Sequence, residues 1–495
     1  MTLAPRAAAS PNRAATGSPP WPSGPSVAPF AHPDRLAVYG ALHGLTTAEV
    51  ASARVLMVAP PTGAGRGQDL MALAATWPGA RFVAIEPSRA EAERMARTIG
   101  ELGLSNVSLV SEELTHIMAT DLGTFDYVIA HGVVARLPEH ERPAFWAFVR
   151  RSLAPHGMAL VSFDTWPGHH VIEPIRRFMK YHVAHIADRA ERIEQARRLA
   201  RFHIDRWHAV HGPTRGVLQA RFLDEVDGMS DEALEAELLC DEHHPSHLED
   251  VDREARTAGL TWVANARASE PRLRWMSPSV RAFLAGIDDI VRQQQYMDFF
   301  VDQRFRTSLF CRADAPLRRQ AHVDEFMGFF VAPRADLAAD DHEGGPRVSD
   351  DAKFLRDKII AGLPAPTVAR DVVVAALNQK KDADPTALKV GLTELFFADA
   401  IELAKTPPPL STRPLEADTI PRATAFARHS AERGDIVIAS LWHRGVPLLE
   451  LERRALARCD GQTTADLIVE AVGPDGGDAL EALWRHGFFM ATKNT

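Results

Sequence analysis

Short apolar runs alternate with amphipathic stretches along the first part of the chain. Five apolar runs are bounded by proline, glycine or polar residues, which is typical of buried parallel strands. They cover residues 54–59, 81–86, 107–110, 125–130 and 158–163. Residues 69–77, 88–102 and 143–153 have helical periodicity between them. The pattern predicts a doubly wound α/β domain of the Rossmann type over residues 32–170.

The rest of the chain shows mostly helical patterns. Residues 171–215 are predicted to be a helical connection, and residues 216–331 a mostly helical middle domain. Residues 332–349 are acidic and glycine-rich, as expected of a linker. Residues 350–495 are predicted to be helical and to end in a winged-helix-like unit. Residues 1–31 are rich in Ala, Pro, Ser and Gly, a composition that predicts a disordered leader.

Composition excludes several classes of protein. The 495 residues carry a formal net charge of -9, whereas dedicated nucleic-acid binders usually have a basic excess. Three widely separated cysteines, Cys240, Cys311 and Cys459, cannot form a disulfide framework and fit a reducing compartment. No apolar run is long enough to span a membrane, and no secretory signal pattern is present. We therefore expect a cytoplasmic protein.

The first strand is followed by a glycine-rich loop, which contains Gly63, Gly65 and Gly67. Ligands of such sheets bind at the carboxyl ends of the strands, where glycines let the backbone approach closely. Glu86 ends the second strand and is placed to accept hydrogen bonds from a ribose diol. The acidic pair Glu112 and Glu113 follows the third strand and could meet an adenine amino group. This pattern predicts a nucleoside-type ligand; the alternative is a plain loop with a surface acid.

Histidines suggest a metal site only weakly. The candidate groups are the adjacent pair His169 and His170, the pair His182 and His185 with the spacing of one helix face, and the close set His243, His244 and His247. With 21 histidines in the chain, such groupings are expected by chance. No further residues complete a ligand set, so no metal site is predicted.

Several motifs taken together indicate a family. The chain resembles the bacterial class I S-adenosylmethionine-dependent methyltransferases with a methyltransferase regulatory domain, a group that includes the protein lysine methyltransferases of rickettsial outer-membrane proteins. The resemblance covers most of the chain. The motifs that carry it are HPDRL at 32–36, FDYVIAHGV at 125–133, LAPHG at 153–157, TWPGH at 165–169, QYMDFF at 295–300 and RFR at 304–306.

The resemblance implies S-adenosyl-L-methionine as cofactor and a protein or peptide acceptor, methylated on lysine or another amine. Carried over by position, Glu86 would hold the ribose hydroxyls, Glu113 would lie near the adenine, and His131 and Gly132 would line the methionine side. Residues 162–169 would border the acceptor. Asp164 is the one acid there and is the candidate catalytic residue, with a strand-end cap as the alternative. The helical domains could support a homodimer or bind a protein partner.

The first motif departs from the family pattern of an acid followed by closely spaced glycines. Met57 occupies the position of the acid, and Ala59, Pro60 and Pro61 occupy the early glycine positions. A thioether cannot make the charge-assisted hydrogen bond to the methionine ammonium, which is worth roughly 1.5–3 kcal/mol. Two hypotheses therefore stay open: an active methyltransferase, or a pseudo-methyltransferase that acts as a scaffold or partner-binding subunit.

Overall fold

A computed structural model gives the structure of the protein. It describes residues 27–59, 67–170, 172–211, 222, 225–267, 276–320, 323–333, 348–362, 365–380, 383–398 and 400–491. Most of the predicted leader and linker, together with Gly63 and Gly65 of the predicted cofactor loop, lies outside these residues.

The centre of the molecule is a seven-stranded sheet with the strand order β3-β2-β1-β4-β5-β7-β6. Strands β1 to β5 are parallel, and β7 pairs antiparallel with both β5 and β6. This topology confirms the predicted Rossmann-like fold. It places the carboxyl ends of β1, β2 and β4 at one edge of the sheet. The strands are β1 (Arg54–Val58), β2 (Arg81–Ile85), β3 (Val107–Val110), β4 (Phe125–His131), β5 (Leu153–Asp164), β6 (Leu260–Asn265) and β7 (Phe305–Arg312).

Both faces of this sheet are covered, which explains why the strands read as continuous apolar runs. Val55 belongs to the hydrophobic core on one face, and its neighbour Leu56 belongs to the core on the other. The helices of the first domain are α1 (Pro33–Leu42), α2 (Gly67–Thr76), α3 (Arg89–Glu101), α4 (Leu114–Ala119) and α5 (Arg142–Ser152).

Two strands of the sheet come from the region predicted to be a mostly helical middle domain. A buried ion pair supports this arrangement: Arg306 of β7 contacts both carboxylate oxygens of Asp298 at 2.9–3.0 Å through Nε. The predicted boundary at residue 170 thus divides residues that share one sheet. The helices of this region are α6 (Glu173–Val183), α7 (Arg189–His211), α8 (Asp231–Leu234), α9 (Leu248–Thr257), α10 (Pro278–Ala285) and α11 (Ile290–Val301).

A second, three-stranded sheet follows, in the order β10-β8-β9. Its strands were not predicted; each has at most four residues, which is too short for a clear alternating pattern. This sheet and its helices share a core with α1 and the first face of the large sheet. The elements are β8 (Phe330–Pro333), α12 (Asp350–Ala361), β9 (Thr367–Val368), α13 (Ala369–Gln379), α14 (Pro385–Phe397) and β10 (Ile401–Ala404).

The last part of the described chain has its own hydrophobic core, to which four helices and a two-stranded hairpin contribute side chains. Helix α15 packs on α2 of the first domain, where Phe426 and Ala439 meet Met71 and Ala72. The winged-helix-like arrangement stays a prediction. The elements are α15 (Ala425–Glu432), β11 (Val437–Ala439), β12 (Gly445–Pro447), α16 (Glu450–Leu456), α17 (Ala465–Val472) and α18 (Gly476–Arg485).

The amino-terminal segment differs from the predicted leader at residues 27–31. Pro29–Ala31 form a 3₁₀-helix, and Val27 is buried beside Met71 of α2. Apolar side chains in this stretch therefore pack against the first domain. Among the residues described, no helix is both long enough and apolar enough to cross a membrane.

Candidate functional site

A cavity lies at the carboxyl edge of the large sheet, where a Rossmann-like fold binds its ligands. It is bordered by the ends of β1, β2 and β4, by the start of α2 and by the amino-terminal 3₁₀-helix. Its lining is mostly apolar, with two carboxyl groups and one imidazole. The described lining residues are Ala31, Met57, Val58, Ala59, Gly67, Asp69, Leu70, Ala84, Ile85, Glu86, Met95, Ile129 and His131.

Glu86 follows β2 directly and faces this cavity, as its position in the sequence predicts. The side chain is 2% exposed, and Oε1 accepts a hydrogen bond from the backbone N–H of Ser88 at 2.9 Å. Burial raises the pKa of Glu86, and the Ser88 hydrogen bond and the charge of Arg94 offset part of this rise. The other oxygen, Oε2, accepts no hydrogen bond from the described residues. A buried carboxyl group of this kind suits a ligand that offers hydroxyl donors.

Asp69 provides the second carboxyl group of the cavity. It lies in the first turn of α2 and is buried. Its Oδ1 accepts hydrogen bonds from the backbone N–H of Ala28 at 2.7 Å and from Nε2 of His443 at 2.8 Å. These contacts bring the amino-terminal segment and the C-terminal hairpin to the edge of the site.

His131 ends β4 and is held by the neighbouring strand. Its Nδ1 lies 2.6 Å from Oγ of Ser162, which also accepts the backbone N–H of Gly132 at 2.8 Å. Gly132 has a φ of 73°, a left-handed conformation that favours glycine. The imidazole is therefore fixed at the cavity wall.

Aromatic contacts cover the outer side of His131. The ring of Phe30 meets it edge-on at 4.9 Å, and the ring of Phe305 lies 5.5 Å away. The guanidinium of Arg267 lies over the Phe30 ring at 5.5 Å. The segment predicted to be a leader thus contributes a wall of the site.

The other predicted site residues have different positions. Gly67 lines the cavity, and a Cβ there would lie 2.9 Å from Cγ of Met95, so the helix packs closely at this point. Glu113 precedes α4, is exposed and does not line the cavity described here. Its assignment to the adenine stays a prediction, as do the roles proposed for the other residues.

Asp164 lies at the end of β5, outside the cavity, in a buried ionic cluster. Its Oδ2 accepts from Arg136 at 3.2 Å and lies 3.0 Å from Nε2 of His243. Nε2 of His169 is 3.4 Å from the other carboxylate oxygen. The carboxylate is 2% exposed, so this placement leaves no surface for an acceptor to reach.

Charges within this cluster set its protonation states. Burial would raise the pKa of Asp164, but His169, His243 and Arg136 hold it well below its usual range. Burial would lower the pKa of His243, but hydrogen bonds to Asp164 and Glu173 raise it above the usual range. The cluster therefore favours a charged His243 between two carboxylates.

Potential metal-ligand atoms of Asp164, His169 and His243 lie within 4.8 Å of one another. The sequence did not bring these residues together, because His243 lies far along the chain. The charged His243 and the guanidinium of Arg136 already pair with the Asp164 carboxylate, and a metal ion would have to displace both. The geometry supports an ion-pair cluster better than a metal centre.

Sequence reasoning missed Asp69 and His443. The only sequence signal for Asp69 is an acid in the first turn of the helix that follows the glycine-rich loop. His443 has no signal of its own, since it lies 374 positions from the residue it contacts.

Comparisons with known families agree with this fold. Residues 62–159 match the family described as methyltransferase domain, and residues 230–312 match the predicted methyltransferase regulatory domain. The resemblance to class I methyltransferases with a regulatory domain is thereby confirmed.

Individual proteins resemble larger parts of the chain. The uncharacterized protein RP789 of Rickettsia prowazekii (strain Madrid E) is 30% identical over 304 residues. That match covers 61% of this chain and 53% of RP789, so the chain spans about half the length of this relative.

Two solved structures are similar over nearly the whole chain. PKMT2 from Rickettsia typhi in complex with AdoHcy has a TM-score of 0.78 at 20% identity, covering 94% of this chain and all (100%) of PKMT2. Another structure of PKMT2 has a TM-score of 0.76 at 19% identity, covering 94% of this chain and 99% of PKMT2. At this identity the likeness shows a shared fold, including the C-terminal part.

Proposed function

We propose that the protein is an S-adenosylmethionine-dependent methyltransferase that modifies a protein or peptide on lysine or another amine. The observation that carries this proposal is the buried Glu86 carboxyl at the end of β2, facing a cavity at the carboxyl edge of a methyltransferase-type sheet. The similarity to PKMT2, whose structure was solved with AdoHcy, supports the same ligand class.

The residues of the cavity fit such a cofactor. S-adenosylmethionine supplies a methyl group on a positively charged sulfur. Glu86 would accept hydrogen bonds from the ribose hydroxyls, and the first N–H groups of α2, which begins at Gly67, could meet a carboxylate. The described lining residues include two carboxyl groups and no lysine or arginine, a composition that suits a cationic ligand.

Methyl transfer requires position and a dry environment more than it requires acid–base chemistry. His131, fixed by Ser162 and packed against Phe30 and Phe305, would form a water-excluding wall on the methionine side. An amine acceptor has to be neutral when it attacks. For Asp164 we propose a positioning role through the end of β5, because its carboxylate is buried and already paired.

The scaffold hypothesis remains the second candidate, because Met57 lines the cavity where the family has an acid. It predicts a folded protein that neither binds S-adenosylmethionine nor transfers a methyl group. Partner binding would then be its activity.

The proposed activity can be tested by transfer of a radiolabelled methyl group to lysine-containing peptides and to proteins of the native host. We expect incorporation on lysine Nζ or another amine, located by mass spectrometry. Glu86→Ala should abolish most of it, whereas Glu93→Ala, an exposed acid on α3, should not. Incorporation that is absent with every acceptor, or unaffected by Glu86→Ala, would contradict the proposal.

A further inference from the structure

We propose that Asp69 binds the α-ammonium group of the cofactor, in place of the acid that β1 lacks. This inference rests on the function proposed above and names one residue of the binding site. It addresses the main departure from the family's first motif, in which Met57 stands at the position of the acid.

Asp69 and Met57 line the same cavity, one from α2 and the other from β1. A thioether is at most a weak acceptor, whereas an ionised carboxylate makes strong hydrogen bonds to an ammonium group. Helix α2 thus places a carboxylate in the cavity, beside strand β1, which has a methionine at the position of the family's acid. The site keeps the required chemistry although the motif does not.

The hydrogen bonds of Asp69 leave room for a ligand. Both bonds from the protein, from Ala28 and His443, end on Oδ1. Within the described part of the chain, Oδ2 accepts none. A carboxylate has about four acceptor positions, so those of Oδ2 stay available to a ligand in the cavity that Asp69 lines. A ligand ammonium would satisfy this oxygen.

His443 holds the carboxylate in this orientation. It has a φ of 55°, which is uncommon outside glycine, and its N–H donates to the Ser440 carbonyl at 2.9 Å. The turn between β11 and β12 thus fixes the imidazole against α2. The C-terminal unit is thereby connected to the cofactor site through one hydrogen bond.

The test compares two ligands by calorimetry. One is S-adenosylhomocysteine, and the other is 5′-S-(3-carboxypropyl)-5′-thioadenosine, which keeps the carboxylate and lacks only the amino group. We expect the wild-type protein to prefer S-adenosylhomocysteine by about tenfold to a hundredfold. Asp69→Asn, which keeps an acceptor for Ala28 and His443, should remove this preference and leave binding of the analogue unchanged.

The outcomes are distinguishable. If the wild-type protein binds neither ligand, the proposed function fails and this inference fails with it. If it binds both equally well, the function stands and the role of Asp69 is wrong, a result that needs no variant to fold. If Asp69→Asn weakens both ligands by the same factor, Asp69 is structural, which also overturns the inference. Glu86→Gln is the matched control and should weaken both ligands equally, because both carry the ribose.

Discussion

Nε2 of His443 lies 2.8 Å from Oδ1 of Asp69, although the two residues are 374 positions apart in the chain. The contact joins the C-terminal hairpin to the helix that follows the predicted cofactor loop. Both side chains are buried, so the hydrogen bond is shielded from water. A unit distant in sequence therefore takes part in shaping the site.

We predict that His443→Asn weakens binding of S-adenosylhomocysteine by about two- to tenfold, the loss expected for one orienting hydrogen bond. Asparagine tolerates the left-handed backbone but is too short to replace the imidazole. Calorimetry should show little change for the analogue without the amino group. His429→Asn, on α15 of the same unit, is the control. Equal affinities for wild type and His443→Asn would show that the contact does not position Asp69.

The buried His243 predicts a pH-dependent stability. Its pKa is raised in the folded state, so its charge stabilises the fold below the unfolded value of about 6.5. This contribution is lost as pH rises through the folded pKa. Asp164 and Glu173, which face His243, have lowered pKa values and titrate at more acidic pH. The pKa of His169 is lowered, so the titration of His169 changes the stability only below about pH 6.5.

Unfolding free energies of the wild type and of His243→Gln, measured between about pH 6.5 and 9, test this expectation. The difference in stability between wild type and variant should shrink as pH rises. Taking the difference cancels the contributions of histidines that lie far from His243, whereas His169, whose ring is 5.1 Å away, keeps a lowered pKa and titrates below this range. A difference that is constant or grows with pH would mean that His243 is not charged in the fold.

The ion pair between Asp298 and Arg306 predicts a large loss of stability when one partner is replaced, and a partial recovery when both are replaced. Both side chains are fully buried, so removing one leaves an uncompensated charge. Asp298→Leu should cost about 3–5 kcal/mol in denaturant unfolding, and the double variant with Arg306→Met should recover a substantial part. Arg198→Met, in an exposed pair with Glu194, should change stability by less than about 1 kcal/mol. No recovery in the double variant would contradict this account.

The first domain could be predicted from the sequence because its strands are buried on both faces. An apolar run such as β1 has no competing pattern, and the structure places it at Arg54–Val58 against an expected 54–59. Strand β6 was missed because Leu260–Asn265 lies between helical segments and pairs only at the sheet edge. Its partner β7 follows dozens of residues later, and such pairing leaves no local signal.

Some residues of the candidate site could likewise be predicted from the sequence, and others could not. Glu86 could be placed because the end of a strand and the ligand edge of the sheet coincide. Asp69 acquires its significance only from the contacts of Ala28 and His443, which tertiary folding brings together. Asp164 was expected at the acceptor because the family resemblance implies that residues 162–169 border it, whereas the structure surrounds Asp164 with Arg136 and two histidines. Long-range pairing of this kind cannot be read from spacing.

Calorimetric titration of the purified protein with S-adenosylhomocysteine tests the central claim most directly. If the cavity is a cofactor site, the wild-type protein should bind with micromolar affinity, and Glu86→Ala should abolish the heat. The absence of any heat or thermal stabilisation up to millimolar ligand would contradict the methyltransferase assignment and favour the scaffold.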